Sequence, residues 1–310
     1  MVYELIIIGA GPAGITAAIY AARKKMNLLV LSKDIGGQAL WTGNIENYTG
    51  YQIVTGAELT EKFREHIDAY KITVNENENV LSVEKTNDSV TVKTDKAQYS
   101  SMAVVIASGK TPKELNVPGE KEYKNKGVAY CATCDGPLFA KKRVAVIGGG
   151  NSALDAAISL SKIATEVHII NISDGFTGDV IMQEAVKGAK NVTIYNESRV
   201  KSIKGDKFVK SVEIETPQGV KDIALDGVFV EIGLVPNADF IKSVKKNSLG
   251  EIEVNCACQT DIAGIFAAGD VTSVPEKQII VAAGEGAKAA LSAFRYLIGC
   301  LLYTSDAADE

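Results

Sequence analysis

Two cysteines one turn apart, Cys131-Ala132-Thr133-Cys134, followed by Asp135, form the sharpest chemical signal in the 310-residue chain. A Cys-x-x-Cys can close a disulfide within a single turn, and its first thiol often has a lowered pKa. Thiolate attack on another disulfide is the chemistry it suits. Asp135 adjoins the pair and can supply or accept a proton. Metal binding is the rival chemistry. Cys131 and Cys134 with Cys256 and Cys258 make four sulfurs, the count of a structural zinc site. Against it, Cys256-Ala257-Cys258 is tighter than the usual ligand spacing, and no His lies near either pair. The redox reading leads, no metal site is expected, and Cys256, Cys258 and Cys300 read as buried or incidental thiols.

The second signal is a glycine-rich turn written twice. Gly9-Ala10-Gly11-Pro12-Ala13-Gly14 follows the apolar run Glu4 to Ile8 and precedes an Ala-rich stretch from Ile15 to Lys25. Gly148-Gly149-Gly150-Asn151-Ser152-Ala153 follows Arg143 to Ile147 and precedes Leu154 to Lys162. In such a turn the first glycine permits the tight bend, the second lets a pyrophosphate approach the backbone, and the third position sets close helix-to-strand packing. The phosphates then meet the free N–H groups and dipole of a helix N-terminus. One turn alone is weak. Both copies, however, run 23 positions from the first Gly to the residue closing the second strand, Gly9 to Ser32 and Gly148 to Asn171. Matched spacing of this kind argues for two dinucleotide-binding βαβ units.

The elements that position these motifs follow from pattern. The runs Leu28 to Leu31 and Glu166 to Ile170 complete the two βαβ units as buried parallel strands. The segments from Val74 to Val92 and from Val192 to Val230 read as short strands with polar turns. Ala263 to Asp270 is a strand ending in Gly-Asp, and Ile279 to Leu297 is a long Ala-rich helix. The expected fold is therefore α/β, with two Rossmann-like dinucleotide-binding domains of three-layer ββα form, the second inserted in the first. The boundaries are set at residues 1–112 with 245–298 for the first domain and 113–244 for the second, with linkers near Pro112 to Pro118 and at Val235-Pro236-Asn237. His66 falls on a predicted helix, Glu58 to Tyr70, and reads as a surface residue. His168 reads as a satisfied core residue, and Trp41 as packing.

Composition narrows the function class. Hydrophobic residues make up 46%, enough for sizeable cores, and the net charge of −5 with no basic run argues against a nucleic-acid surface. No stretch reaches the ~20 apolar residues of a membrane helix, and the first apolar run is too short for a secretory signal, so a cytoplasmic location is expected.

These motifs, with Gly36-Gly37-Gln38, Cys131 to Pro137, Glu231 to Asn237, and Gly264 to Val271 with Lys277-Gln278-Ile279, resemble the bacterial low-molecular-weight thioredoxin reductases in identity and order. The stretch Asp135 to Ile298 is also similar to the flavoprotein part of alkyl hydroperoxide reductase, a longer protein whose N-terminal thioredoxin-fold extension this sequence does not include. The resemblance covers residues 3 to 298 and implies FAD and NADH or NADPH as cofactors. On it, Gly9, Gly11, Pro12, Ala13 and Gly14 hold the FAD pyrophosphate. Gly36, Gly37, Gln38 and Asn47 line the flavin side. Gly269 and Asp270 bind the ribityl chain, with Lys277, Gln278 and Ile279 near the isoalloxazine. Gly148, Gly150, Asn151, Ser152 and Ala153 hold the nicotinamide dinucleotide. Cys134 faces the flavin, Cys131 exchanges with the disulfide of thioredoxin or a glutaredoxin-like protein, and Asp135 is the acid. A homodimer with a rotating inserted domain is implied as well.

The sequence departs from that pattern in three places: the stretch after the second nucleotide strand, the ends of the two second strands, where Ser32 and Asn171 stand instead of an Asp or Glu, and the C-terminal tail. Members that use NADPH carry an arginine cluster after the second strand of the nucleotide unit, whereas residues 171–179, Asn171 to Asp179, contain no Arg or Lys. A 2′-phosphate wants a guanidinium. NADH is therefore the expected donor, with Asn171 placed to hydrogen-bond a free ribose hydroxyl. Two enzymatic alternatives stand beside thioredoxin reduction: supply of a peroxiredoxin through a glutaredoxin-like carrier, and electron intake from ferredoxin. A zinc or nucleotide-binding module without activity is the distant alternative. Residues 299–310 match nothing in the family and read as a non-native or disordered tail.

Overall fold

The computed structural model describes residues 2–42, 44–86 and 89–306. It is an α/β protein of two Rossmann-like units, the second inserted in the first. One unit comprises Met1–Trp41, Ile45–Thr111 and Val235–Glu310; the other is built on Pro112–Leu234.

In the first unit the parallel core runs in the order Val74–Asn75, Leu28–Ile35, Val2–Ala10, Gln98–Ile106, with Ile265–Ala267 flanking the last of these. The register pairs Ile6 with Leu29 on one side and with Val104 on the other. A parallel strand buried on both faces needs an unbroken apolar run, and Leu5, Ile6, Ile7 and Ile8 are at most 4% exposed. Alternate side chains leave in opposite directions. Leu5 and Ile7 join the core beneath the helices Pro12–Arg23 and Ile279–Asp306, while Ile6 and Ile8 join the core formed with Val83, Val92 and Ile241. An antiparallel meander, Val80–Lys85, Val90–Thr94 and Gln98–Ile106, completes this sheet.

The helix Gly56–Ala69 starts two residues before its expected beginning. Thr55 and Glu58 form a reciprocal capping box there, a Thr-x-x-Glu spacing visible in the sequence. The expected boundary at 244 is corrected to Leu234, because Ala238, Ile241 and Val244 are buried in the first unit's core and the Phe240 carbonyl accepts from the Val83 N–H. The last helix also runs past Leu297, to Asp306. One interior glycine, Gly299, costs about 1 kcal/mol, too little to end a helix whose earlier turns are well packed. Residues 307–310 lie outside the described residues, so the expected tail is described only through 306.

The second unit repeats the plan on a smaller scale. Its parallel sheet runs Val128–Ala129, Gly227–Val230, Arg143–Ile147, Glu166–Ile170, Val192–Tyr195. The helix Asn151–Ser161 packs on one face through Ala153, Leu154, Ala157 and Leu160, and the antiparallel sheet Arg199–Gly205, Val209–Thr216, Gly219–Ala224 covers the other through Val200, Val212 and Ile214. In each unit the strand that leads into the glycine turn, Val2–Ala10 or Arg143–Ile147, lies inside its sheet with parallel neighbours on both sides. The glycine turns therefore emerge at the carboxyl ends of the strands, where open α/β sheets bind ligands.

Candidate functional site

In the second unit Cys131 and Cys134 are joined in a disulfide, with Cα atoms 5.3 Å apart. The strand Val128–Ala129 delivers the chain to Cys131, and Tyr130 fixes the approach by donating its hydroxyl to Glu120 at 2.9 Å. Glu120 is fully buried and also accepts from the backbone N–H groups of Leu115 and Asn116. Burial and this carboxylate push the Tyr130 phenol well above its ordinary value. The short helix Ala132–Asp135 follows, with the Cys134 N–H directed at Cys131 Sγ, 3.2 Å away. The Ala132 N–H is taken by Glu231, 3.2 Å away and 99 residues further along the chain. Asp135 closes the turn, its N–H bonded to the Cys131 carbonyl. Cys131 and Cys134 are each half-buried.

The turn from Gly148 to Ala153 lies in the same unit. Gly150 is the N-cap of the helix Asn151–Ser161, with extended backbone, no side-chain cap, and 3.8 Å to the nearest atom that a Cβ would meet. Uncapped N–H groups facing open space fit a dinucleotide pyrophosphate. Asn151 and Ser152 are exposed on the first helical turn, and Ala153 is buried behind them. The Asn151 side chain is bound to Asp179, accepting from its N–H at 2.7 Å. Asn171 is 3% exposed. Its amide nitrogen donates to the carbonyls of Ser173 and Gly175 and to Asn196, and its oxygen accepts from the Ser173 N–H. The structure thus commits Asn171 to holding the 172–179 loop, which returns to the turn through the Thr177 N–H and the Gly149 carbonyl.

The first unit offers a matching cradle. Gly11 is an extended, uncapped N-cap, Pro12 occupies the first helical position, and Ala13 and Gly14 are buried against the sheet. Gly36 returns to the same turn by donating its N–H to the Ala10 carbonyl. The neighbouring Gly37 N–H is held by Asp34, and Ser32 hydrogen-bonds the Ala10 N–H. Residues expected on the flavin side are brought together from opposite ends of the chain. Gln38 donates to Asp270 at 3.4 Å, and Asn47 donates to Gln278 at 2.9 Å. Ile279 opens the last helix and packs on Ile45, Val54 and Leu59. These residues fit a flavin dinucleotide: an open N-terminus for phosphate, then paired amide and carboxyl groups beyond it.

Sequence reasoning missed the ionic floor under Asp270. Lys110 forms an ion pair with Glu251, both 8% exposed, and Lys277 joins the same carboxylate at 3.3 Å while donating to the Thr272 carbonyl. Burial raises the Glu251 carboxyl, but hydrogen bonds from Lys110 and Asn247 and the charge of Lys277 outweigh it and hold it below its ordinary value. Burial and the neighbouring Lys110 lower the Lys277 ammonium. Burial likewise raises Asp270, with both lysines opposing. Glu285, raised by burial, accepts from the Gly269 N–H at 2.7 Å and so supports the Gly269-Asp270 corner.

The remaining candidates are peripheral. Cys258 is buried, its Sγ against the Glu285 carbonyl, and burial pushes the thiol up to about 11, where it is inert. Cys256 is exposed. Among the described residues no three His, Cys, Asp or Glu groups gather as a metal site. The side chains of Trp41 and Cys300 lie outside the described residues. His66 is exposed beside Tyr70. His168 corrects its expectation in part: Nε2 meets Glu166 at 3.4 Å, but buried Nδ1 has no hydrogen-bond partner among the described residues. Its strand neighbours bury the ring without offering a group to that nitrogen, and burial lowers its pKa.

Comparison with known proteins agrees with this geometry. The chain is 41% identical over 306 residues to the F subunit of alkyl hydroperoxide reductase in Escherichia coli (strain K12), covering 96% of this chain and 58% of that protein. It is 41% identical over 300 residues to a protein named NADH dehydrogenase from Bacillus subtilis (strain 168), covering 96% of this chain and 59% of that one. The chain thus spans about three-fifths of the length of these relatives. The crystal structure of thioredoxin reductase from Streptococcus pyogenes MGAS5005 superposes with a TM-score of 0.90 at 37% identity, covering 96% of this chain and 99% of that one. No helix among the described residues is long and apolar enough to cross a membrane. Residues 3–286 match the pyridine nucleotide-disulphide oxidoreductase family, and with two dinucleotide turns and a closed Cys131–Cys134 disulfide the chain belongs to that family of oxidoreductases.

Proposed function

We propose that the chain is an FAD-dependent NAD(P)H:disulfide oxidoreductase that reduces thioredoxin or a thioredoxin-like protein through Cys131 and Cys134. The observation that carries this reading is the disulfide itself, held in the unit that also carries the second nucleotide turn. Gly9, Gly11 and Gly14, with Gln38, Asn47, Asp270 and Gln278, hold the flavin. A flavin held there would supply two-electron chemistry between a nicotinamide and a disulfide. Cys134 receives the pair as the S–S bond opens, and Cys131 leaves as the thiolate that attacks the partner disulfide. Asp135 gives the proton taken up by the partner's sulfur that departs when Cys131 attacks. The test is NADH-driven reduction of thioredoxin by wild type and by Cys131→Ser/Cys134→Ser. Turnover must vanish in the double variant while flavin content stays; retained turnover overturns the reading.

NADH is the preferred donor, because residues 171–179 offer no cation and expose Asp174 and Asp179. A second acceptor reading is favoured by the similarity to the alkyl hydroperoxide reductase flavoprotein: delivery to a peroxiredoxin through a glutaredoxin-like carrier. A turnover panel of thioredoxins and glutaredoxin-like carriers, run with each pyridine nucleotide, separates the acceptors. A cytoplasmic homodimer completes the proposal, and sedimentation reads the dimer.

A further inference from the structure

Glu231 follows the last residue of the strand Gly227–Val230 and serves both halves of the second unit's chemistry. Its main chain belongs to the nucleotide turn. The Glu231 N–H donates to the Ile147 carbonyl at 2.9 Å, and its own carbonyl fills the space where a Cβ on Gly148 would sit. Its side chain belongs to the redox pair, with Oε1 receiving the Ala132 N–H, the first peptide group after Cys131. Among the described residues the carboxyl forms no ion pair. The groups that act on it are the Ala132 N–H on the cysteine turn and Asp155 on the helix Asn151–Ser161, which repels it. Across the hydrogen bond lie Cys131 and Cys134, and Asp135 ends the same short helix. Burial pushes this carboxyl up to about 7, with the Ala132 N–H opposing and Asp155 adding to the rise.

We propose that Glu231 is a positioning residue of the redox pair: its carboxyl group, suspended between the nucleotide turn and the peptide after Cys131, sets the ionisation of the reduced cysteines. Opening the disulfide takes two electrons and two protons to give the dithiol, and loss of one proton gives the attacking thiolate. An ionised Glu231 repels that thiolate and a neutral one does not. The two groups therefore titrate as a coupled pair. The inference rests on Cys131 and Cys134 being the redox pair, and its test reads the thiols without turnover.

The FAD-loaded full chain is reduced with dithiothreitol, freed of it, and alkylated with iodoacetamide across pH, with Cys131 and Cys134 followed by peptide mapping. Wild type should show a thiol profile broadened by the carboxyl. Glu231→Gln keeps an acceptor for the Ala132 N–H and removes the charge. Its profile should become a single step, lower by about one pH unit, with alkylation at neutral pH about tenfold faster. Asp155→Asn, a change at an exposed helix position, should move the wild-type profile in a smaller but measurable way by easing Glu231 ionisation. A Glu231→Gln profile that overlays wild type, or shifts upward, overturns the proposal. If Glu231→Gln does not fold, an unchanged profile in Asp155→Asn does the same. Loss of turnover in Cys131→Ser/Cys134→Ser with overlaid Glu231→Gln profiles would leave the proposed function standing and remove this inference alone.

Discussion

The two glycine turns start alike and end differently. At the first position, Gly9 and Gly148 both take left-handed backbone, φ 102° and 138°. A Cβ on either would collide with the carbonyl just past the end of the neighbouring parallel strand, Ala107 or Glu231. At the second position, Gly11 and Gly150 are both extended, uncapped and open. The third position separates them. A Cβ on Gly14 would run into the Gly9 carbonyl, whereas Ala153 carries its Cβ fully buried in the apolar core. What covers the turns differs too. Gly36 and Gly37 return to the first through backbone, and Gly286 of the last helix lies against the Ala13 carbonyl. Side-chain amides secure the second, through Asn171 beneath the loop and Asn151 at Asp179. A shared pattern thus dictates the phosphate cradle, but the packing of its surroundings decides which glycines are obligatory.

The comparison breaks most visibly at its third position. Gly14→Ala should cost about 3 kcal/mol or more through overpacking, while Ala153→Gly should cost about 1 kcal/mol through chain entropy. Urea unfolding followed by flavin release and by circular dichroism measures both, and equal losses would erase the distinction. The amide anchor gives the next effect. Asn171→Ala strips buried partners from the 172–179 loop and should cost about 2 kcal/mol, raising the KM for NADH with flavin content unchanged. A KM equal to wild type would show that the loop is held by something else. The smallest effect sharpens what the second turn selects. Asp174→Arg should shift the NADPH-to-NADH ratio of kcat/KM upward by about tenfold, equivalent to about 1.4 kcal/mol. No shift would place the 2′-hydroxyl away from this loop.

Local pattern made much of this legible. Apolar runs ending in Gly-x-Gly announced the strands and turns, and Cys131 to Cys134 announced the disulfide. Side-chain pairings across long separations carry no such mark. Glu231 reaches Ala132 over 99 residues, and Lys110 reaches Glu251 over 141. Gln38 with Asp270, and Asn47 with Gln278, entered the expected site through resemblance, since no periodicity links residues at opposite ends of a chain. Asn171 shows the limit in another form. Its place after the second strand was plain in the sequence, but its amide holds the loop, a choice set by which carbonyls fold back over it. The inserted unit's return was marked in the sequence by the Val235-Pro236-Asn237 linker, but the boundary was set ten residues later, because only packing assigns Ala238, Ile241 and Val244 to the first core.

The central claim is that Cys131 and Cys134 are opened by electrons from NADH. Anaerobic addition of NADH to the FAD-loaded chain, followed by alkylation and peptide mapping, tests it most directly. The account expects both Cys131 and Cys134 to become labelled only after NADH, with Cys256 and Cys258 unchanged by it. An unlabelled pair, or NADH-dependent labelling at Cys256 or Cys258 instead, would contradict it.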